Sequence, residues 1–146
     1  MKNVLIISAS PREHGNSDTL CDYFAKGTQE SGNHVEKIFL AEKNIGYCTG
    51  CGVCNETHLC VQKDDMKEIL DKMVTADAIV FATPVYFYSM NGRMKNFIDR
   101  TVPRYTEITN KDFFCHTKCC PSLCPSCVKS RMCQNFCQFQ MMHTQN

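Results

Sequence analysis

Two stretches of the chain are apolar at every position, which a half-exposed segment cannot be. Val4-Leu5-Ile6-Ile7, with Ala9 beyond Ser8, is one, and Ala78-Ile79-Val80-Phe81-Ala82 is the other. Continuous runs of this length, bounded by turn residues, predict strands buried on both faces. A further strand is expected from about Val35 to Leu40. Between the strands the period lengthens to that of a helix. Leu20, Tyr23, Phe24 and Gly27 fall at i, i+3, i+4 and i+7, and Ser31-Gly32 ends that segment. Asp64-Asp65 opens a second helix with Met66, Ile69, Leu70, Met73 and Val74 on one face, and Glu68 is placed to complete a capping box on Asp65. A third helix carries Met94, Phe97, Ile98 and Thr101 inward. Strands alternating with helices imply a parallel sheet with right-handed crossovers, an α/β doubly wound fold.

Such a fold binds ligands at the carboxyl ends of its strands. Two loops end up there. The first, Ser8 to Ser17, joins a buried strand to a helix N-terminus, where free backbone N–H groups and the helix dipole favour an anion. Hydroxyls from Ser8, Ser10 and Ser17, the Asn16 amide and the Arg12 cation suit a terminal phosphate, and Gly15 admits a close approach. An ordinary strand–helix turn capped by Ser17 or Asn16 is the plainer alternative. The second loop runs Thr83-Pro84-Val85-Tyr86-Phe87-Tyr88-Ser89-Met90-Asn91-Gly92. Loops at a sheet end are usually polar, so its rings point to a planar, partly apolar ligand, with Gly92 leaving room for it. Packing of Tyr86, Phe87 and Tyr88 against a partner subunit explains them too, and both roles can hold at once.

Composition changes the picture in one respect. The formal charge of +1 gives no electrostatic case for nucleic acid or an anionic membrane, and no apolar run approaches a bilayer span. The N-terminal run is short for a signal peptide and reads as a first strand, so a cytoplasmic protein is expected. The length of 146 residues suits one domain. Twelve cysteines in such a chain are the anomaly, and in a reducing compartment they point to metal or redox chemistry. Cys48-x2-Cys51-x2-Cys54-x5-Cys60, with Gly50 and Gly52 inside it, can wrap four thiolates round one compact centre. That spacing approaches the cubane iron–sulfur pattern, though the ferredoxin form has a shorter last gap and a following proline. Four-thiolate zinc and uncomplexed thiols are the alternatives.

Ser10-Pro11-Arg12, Gly15-Asn16-Ser17, Asp64-Asp65-Met66, Thr83-Pro84-Val85-Tyr86-Phe87, Met94-Lys95 and Asp99-Arg100 occur in one order and spacing. Together they resemble the flavodoxin-like NAD(P)H-dependent FMN reductases, in particular their iron–sulfur flavoprotein branch, over Met1 to about Asp112. The resemblance implies FMN with its phosphate in the Ser10–Ser17 loop and its ring system against Pro84–Phe87. The residues expected to hold it are Ser10, Arg12, Asn16, Ser17, Pro84, Val85, Tyr86, Phe87, Ser89 and Gly92. It implies a 4Fe-4S cluster on Cys48, Cys51, Cys54 and Cys60, NAD(P)H as electron donor, a small-molecule acceptor such as a quinone or flavin, strand order 2-1-3-4-5 and a homodimer or tetramer. An electron carrier, in which flavin and cluster exchange single electrons with a protein partner, is the rival reading. A truncated product with little activity is the third.

Other residues take plain roles. His14, His34 and His58 are expected at the surface, Cys21 in packing, Lys95 in solvent, and Asp99 and Arg100 in holding the fold or the dimer. From about Cys115 the composition shifts to seven cysteines with no Asp, Glu, Gly, Ala or Ile. Residues 1–112 are thus read as an incomplete FMN-binding domain and 113–146 as an irregular tail, an out-of-frame or alternative ending, with only Phe113-Phe114 hinting at a fourth strand. A zinc site on Cys124-x2-Cys127 and Cys133-x3-Cys137 is the other reading of that tail. On this view the third strand is a bare, association-prone edge.

Overall fold

The computed structural model describes residues 1–118, with side chains as far as Phe114. Residues 113–118, read as the start of an irregular tail, form a strand instead; the rest of that tail and the Cys124–Cys137 zinc reading lie outside the described residues. Strand β1 (Asn3–Ser8) leads to helix α1 (Asn16–Glu30) and strand β2 (His34–Phe39). A long connection holding the short helix α2 (Val53–Thr57) precedes helix α3 (Met66–Thr75) and strand β3 (Ala78–Tyr86). Strand β4 (Ser89–Met90), helix α4 (Gly92–Asp99), the single turn α5 (Tyr105–Ile108) and strand β5 (Asp112–Lys118) complete the order.

The parallel sheet runs β2-β1-β3-β5, as the flavodoxin-like class requires. Alternation along β1 and β3 sends successive side chains to opposite faces. Leu5, Ile7 and Ile79 join the larger core with Met66, Ile69, Leu70, Met73, Met94 and Phe97 from α3 and α4. Val4, Ile6, Ala78, Val80 and Ala82 meet Cys21 of α1 in a smaller one. Apolar residues on both faces are why these strands read as unbroken runs.

Three expectations need correction. The edge of β3 is not bare: β5 pairs with it in parallel from Ala78↔Asp112 to Pro84↔Lys118. Phe113 of β5 and Phe97 of α4 both pack on Phe81, with ring centroids 5.6 and 6.0 Å away. The inward face of α1 is Ser17, Asp18 and Cys21, not the stripe through Tyr23 and Phe24, which are 70% and 40% exposed. A salt bridge from buried Asp18 to the more exposed Lys37 takes the place of apolar residues there. Asp18 accepts from Ser8 Oγ at 3.0 Å, the His14 N–H at 3.2 Å and Lys37 Nζ at 3.0 Å. Finally, α3 has no capping box. Asp65 makes no side-chain cap and instead accepts from the Asn44 N–H at 2.7 Å, while Glu68 pairs with Lys72.

Burial raises the Asp18 pKa, but Lys37 and the His14 and Ser8 donors outweigh it and hold the carboxyl below its ordinary 3.8. Asp64 behaves alike, burial being outweighed by Arg100 and two backbone N–H groups. A carboxyl depressed in the folded state stabilises above its unfolded value, and that contribution is lost as pH falls through the folded value. Urea titrations monitored by circular dichroism should therefore show a stability that holds down to about pH 4 and falls below it. Asp18→Asn should be less stable at neutral pH and lose less on acidification; an unchanged acid slope would remove Asp18 from the cause.

Candidate functional site

β1 and β3 lie side by side in parallel with Ser8 opposite Ala82, so the segments that follow them emerge at one end of the sheet. The Ala9 N–H extends the ladder by one bond to the Ala82 carbonyl, 2.8 Å. Buried Ser8, Ser10, Ser17, Thr83 and Asn91 gather at this end, whereas the strand interiors are apolar.

The first segment is braced from within. Ser10 Oγ donates to the Arg12 carbonyl at 2.8 Å and accepts from the Arg12 N–H at 3.4 Å, so this hydroxyl shapes the loop. A Cβ on Gly15 would lie 3.1 Å from Ser10 Oγ and 3.2 Å from the Arg12 carbonyl oxygen. A side chain there would crowd the loop where it closes on itself; the φ of −66° asks for no glycine. Gly15 is also the N-cap of α1 and supplies no side-chain cap. The first-turn N–H groups are left without a side-chain partner, the condition under which an anion binds at a helix start. Asn16 and Arg12 are exposed beside them, and Arg12 makes no ion pair among the described residues.

The second segment is not the open loop expected. β3 continues through Pro84 and Val85 to Tyr86 and folds back on β4, with Val85↔Met90 and Tyr86↔Ser89 paired. The two residues at the tip, Phe87 and Tyr88, both have positive φ, 46° and 64°. Asn or Gly usually fills such a two-residue turn, and bulky residues in left-handed backbone cost on the order of 1 kcal/mol each. The tip carries Phe87 95% exposed, with Tyr86 and Tyr88 about half exposed. Gly92 begins α4, in open space.

Asn91, which sequence reasoning passed over, fastens the two segments together. Its Nδ2 donates to the Ala9 carbonyl at 2.5 Å, its Oδ1 caps α4 by accepting from the Met94 N–H at 2.9 Å, and its own N–H donates to Thr83 Oγ1 at 3.2 Å. The signal was present: Asn before the first periodic residue of a helix is a preferred N-cap.

The cysteine loop lies at the other end of α4. Positive φ at Gly50 and Gly52, 67° and 76°, turns the chain between Cys48, Cys51 and Cys54. Cys48 and Cys51 are exposed; Cys54 and Cys60 are partly buried. Among the described residues, only His14, Asp18 and Asp22 bring three ligand atoms within 4.8 Å of one another, so no three of these cysteines stand at single-ion spacing. Lys37, bonded to Asp18 and Asp22, occupies that acidic group. Both ends of the loop are held from α4. Asn96 Nδ2 donates to the Ile45 carbonyl at 3.0 Å. Arg100, 2% exposed, donates to the Gly46 carbonyl at 2.7 Å, Gln62 Oε1 at 3.0 Å, both Asp64 oxygens at 2.7 and 3.1 Å, and Cys60 Sγ at 3.5 Å. Burial opposes the Arg100 charge, but Asp64, with a smaller contribution from Cys60, outweighs it and raises the pKa.

The plain roles hold elsewhere. His14, His34 and His58 are exposed, Lys95 pairs with Asp99 on the surface, and Cys21 is packed, burial pushing its thiol up to about 11. Among the described residues no helix is long and apolar enough to cross a membrane.

Comparison with known proteins identifies the family and the fold. The chain is 44% identical over 103 residues to an iron-sulfur flavoprotein of Archaeoglobus fulgidus, covering 70% of this chain and 46% of that protein. It is 40% identical over 100 residues to an iron-sulfur flavoprotein of Methanocaldococcus jannaschii, covering 68% and 52%. It therefore spans about half the length of these relatives. Among solved structures, an azoreductase of Bacillus anthracis aligns with TM-score 0.69 at 17% identity, over 98% of this chain and 81% of that one. An apo NADH:FMN oxidoreductase aligns with TM-score 0.63 at 21% identity, over 88% and 62%. At these identities the two share the fold. The model of the NADPH-dependent FMN reductases matches residues 2–117, and the chain belongs to that family.

Proposed function

We propose that this chain binds FMN at the carboxyl end of its sheet and acts as an NAD(P)H-dependent oxidoreductase, delivering electrons to a quinone, flavin or similar small acceptor. The observation that carries the reading is the uncapped start of α1, with Asn16, Ser17 and an unpaired Arg12 around it, directly beside an aromatic hairpin. The α1 N–H groups, Asn16, Ser17 and Arg12 would hold the phosphate, while Ser10 keeps the loop in shape for it. Pro84, Val85, Tyr86 and Phe87 would face the ring system, with Ser89 and Gly92 bordering it. Bound flavin supplies the redox chemistry, accepting hydride equivalents from the nicotinamide and passing electrons on. No side chain has to act as a nucleophile. The protein's part is to bind, orient and exclude water, and Asn91 fixes both binding segments to one helix. A tip with Phe87 almost wholly exposed fits a homo-oligomer in which a second copy covers it, and unpaired thiols fit a reducing, cytoplasmic setting.

A second reading is favoured by the cysteine loop: an iron–sulfur flavoprotein that exchanges single electrons with a partner. The donor set fits a cluster. Four thiols lie on one loop, bent at two left-handed glycines and clamped at both ends. Spectra and iron content of anaerobically purified protein separate the readings: flavin bands alone favour the reductase, and added broad iron–sulfur absorption favours the carrier.

Two outcomes follow for binding. Ser17→Ala and Asn16→Ala should each weaken FMN by on the order of 1 kcal/mol, about fivefold in Kd, by fluorescence quenching of added FMN. Asn91→Ala, which removes a cap and strands the Ala9 carbonyl, should cost about 1–3 kcal/mol of stability and loosen FMN as well. Unchanged affinity in the Ser10→Ala, Asn16→Ala, Ser17→Ala triple variant would refute the phosphate site. For the cysteine loop, Cys51→Ser should abolish iron binding and spare FMN, because the two sites use different loops; full iron occupancy in that variant would refute the ligand set.

A further inference from the structure

We infer that Arg100 is the positioning and potential-setting residue of the cysteine centre, acting through a hydrogen bond to Cys60 and a clamp on both ends of the loop. The inference rests on the iron–sulfur reading of Cys48, Cys51, Cys54 and Cys60. Its guanidinium is 2% exposed, yet it lies 3.5 Å from Cys60 Sγ, the last of the four thiols. A structural arginine needs only its carboxylate, and Asp64 supplies that with two bonds. Here the same group also takes the Gly46 carbonyl, two residues before Cys48, and Gln62 Oε1, two residues after Cys60. The loop is therefore closed at its base by one rigid planar fork, which a lysine cannot reproduce.

Charge makes the second half of the argument. One-electron reduction makes an iron–sulfur centre more negative, and hydrogen bonds to its sulfurs together with local charge set its potential. A buried N–H donor with a positive charge at one ligand sulfur stabilises the reduced form more than the oxidised one. Asp64 offsets part of that charge at a distance, but it is the guanidinium, not the carboxylate, that touches the thiol. Arg100 thus raises the midpoint potential of the centre and ties it to the packing of α4.

The test uses the full chain, purified anaerobically. Arg100→Gln alone leaves the Asp64 charge buried without its partner, so it is paired with Asp64→Asn to keep the site neutral. Iron per chain, thermal midpoint and a redox titration followed by electron paramagnetic resonance are measured together. The expected result is an iron-loaded, folded double variant whose midpoint is shifted negative of the wild type, with Arg100→Lys shifted less. A structural role alone would lower the thermal midpoint and leave the potential where it was. An unchanged potential in an iron-loaded variant overturns the inference and leaves the iron–sulfur reading standing. Wild-type protein without iron overturns that reading and this inference with it. Should the double variant lose its iron, pulsed resonance on reduced wild type carrying 15N-arginine decides. A 15N coupling to the centre is expected, and its absence overturns the contact.

Discussion

Everything in this chain depends on β1 having a neighbour on each edge and a layer on each face. It pairs with β2 along its whole length and with β3 from Val4 to Ser8, and Leu5, Ile6 and Ile7 are 2% exposed or less. A strand enclosed on four sides has nowhere to put a polar group except its ends. At the carboxyl end the backbone must leave the sheet, and the N–H groups of the next helix start without partners. Chemistry collects there because burial forbids it elsewhere, and Ser8, Ser10 and Ser17 mark the boundary.

Where charged groups do enter the interior, they are matched by several partners, although Arg100 Nε and Asn96 Oδ1 are left without one. Asp18 is matched by Lys37, a hydroxyl and an N–H, and Arg100 by Asp64, an amide oxygen, a carbonyl and a thiol. Such pairs add little net stability over apolar packing, since desolvation consumes most of the attraction, but breaking one by removing a partner costs about 3–5 kcal/mol. Their effect is therefore to fix arrangement. Lys37 ties β2 to α1, and Arg100 ties α4 to the cysteine loop.

The parts of the fold legible in the sequence are those set by apolar periodicity: β1, β3, the inward faces of α3 and α4, and the doubly wound class. The parts that were not legible are set by polar pairing. Helix α1 looks amphipathic through Tyr23 and Phe24, yet it turns Asp18 inward, because a charge paired across space leaves no periodic trace. Glu68 has the spacing of a capping box, and Lys72 one turn on takes it instead. The hairpin at Phe87-Tyr88 lacks the Asn or Gly that normally announces one, so it read as a loop. Of the site residues, the clustered hydroxyls were visible and Arg100 was read as holding the fold, whereas Asn91 was concealed within an aromatic stretch and the Arg100 bond to Cys60 leaves no trace in the spacing.

Helix α4 gives these separate observations a common geometry. Its N-terminal end holds the two sheet-end segments through Asn91, and Arg93 Nη1 adds a bond to the Leu40 carbonyl at 2.9 Å. Its C-terminal end holds the cysteine loop through Asn96 and Arg100. Between them Met94 and Phe97 are buried without residual exposure, so the helix cannot slide or rotate against the sheet. Eight residues at 1.5 Å each make a strut of about 12 Å. The sheet-end segments and the cysteine loop are therefore fastened to opposite ends of one short, packed helix. Their separation is set by helix geometry and not by the long connection between β2 and α3. A loop of this length, left to itself, would sample many positions relative to the sheet. Two side chains, spaced one helical turn apart, remove that freedom and place both sites on one rigid element.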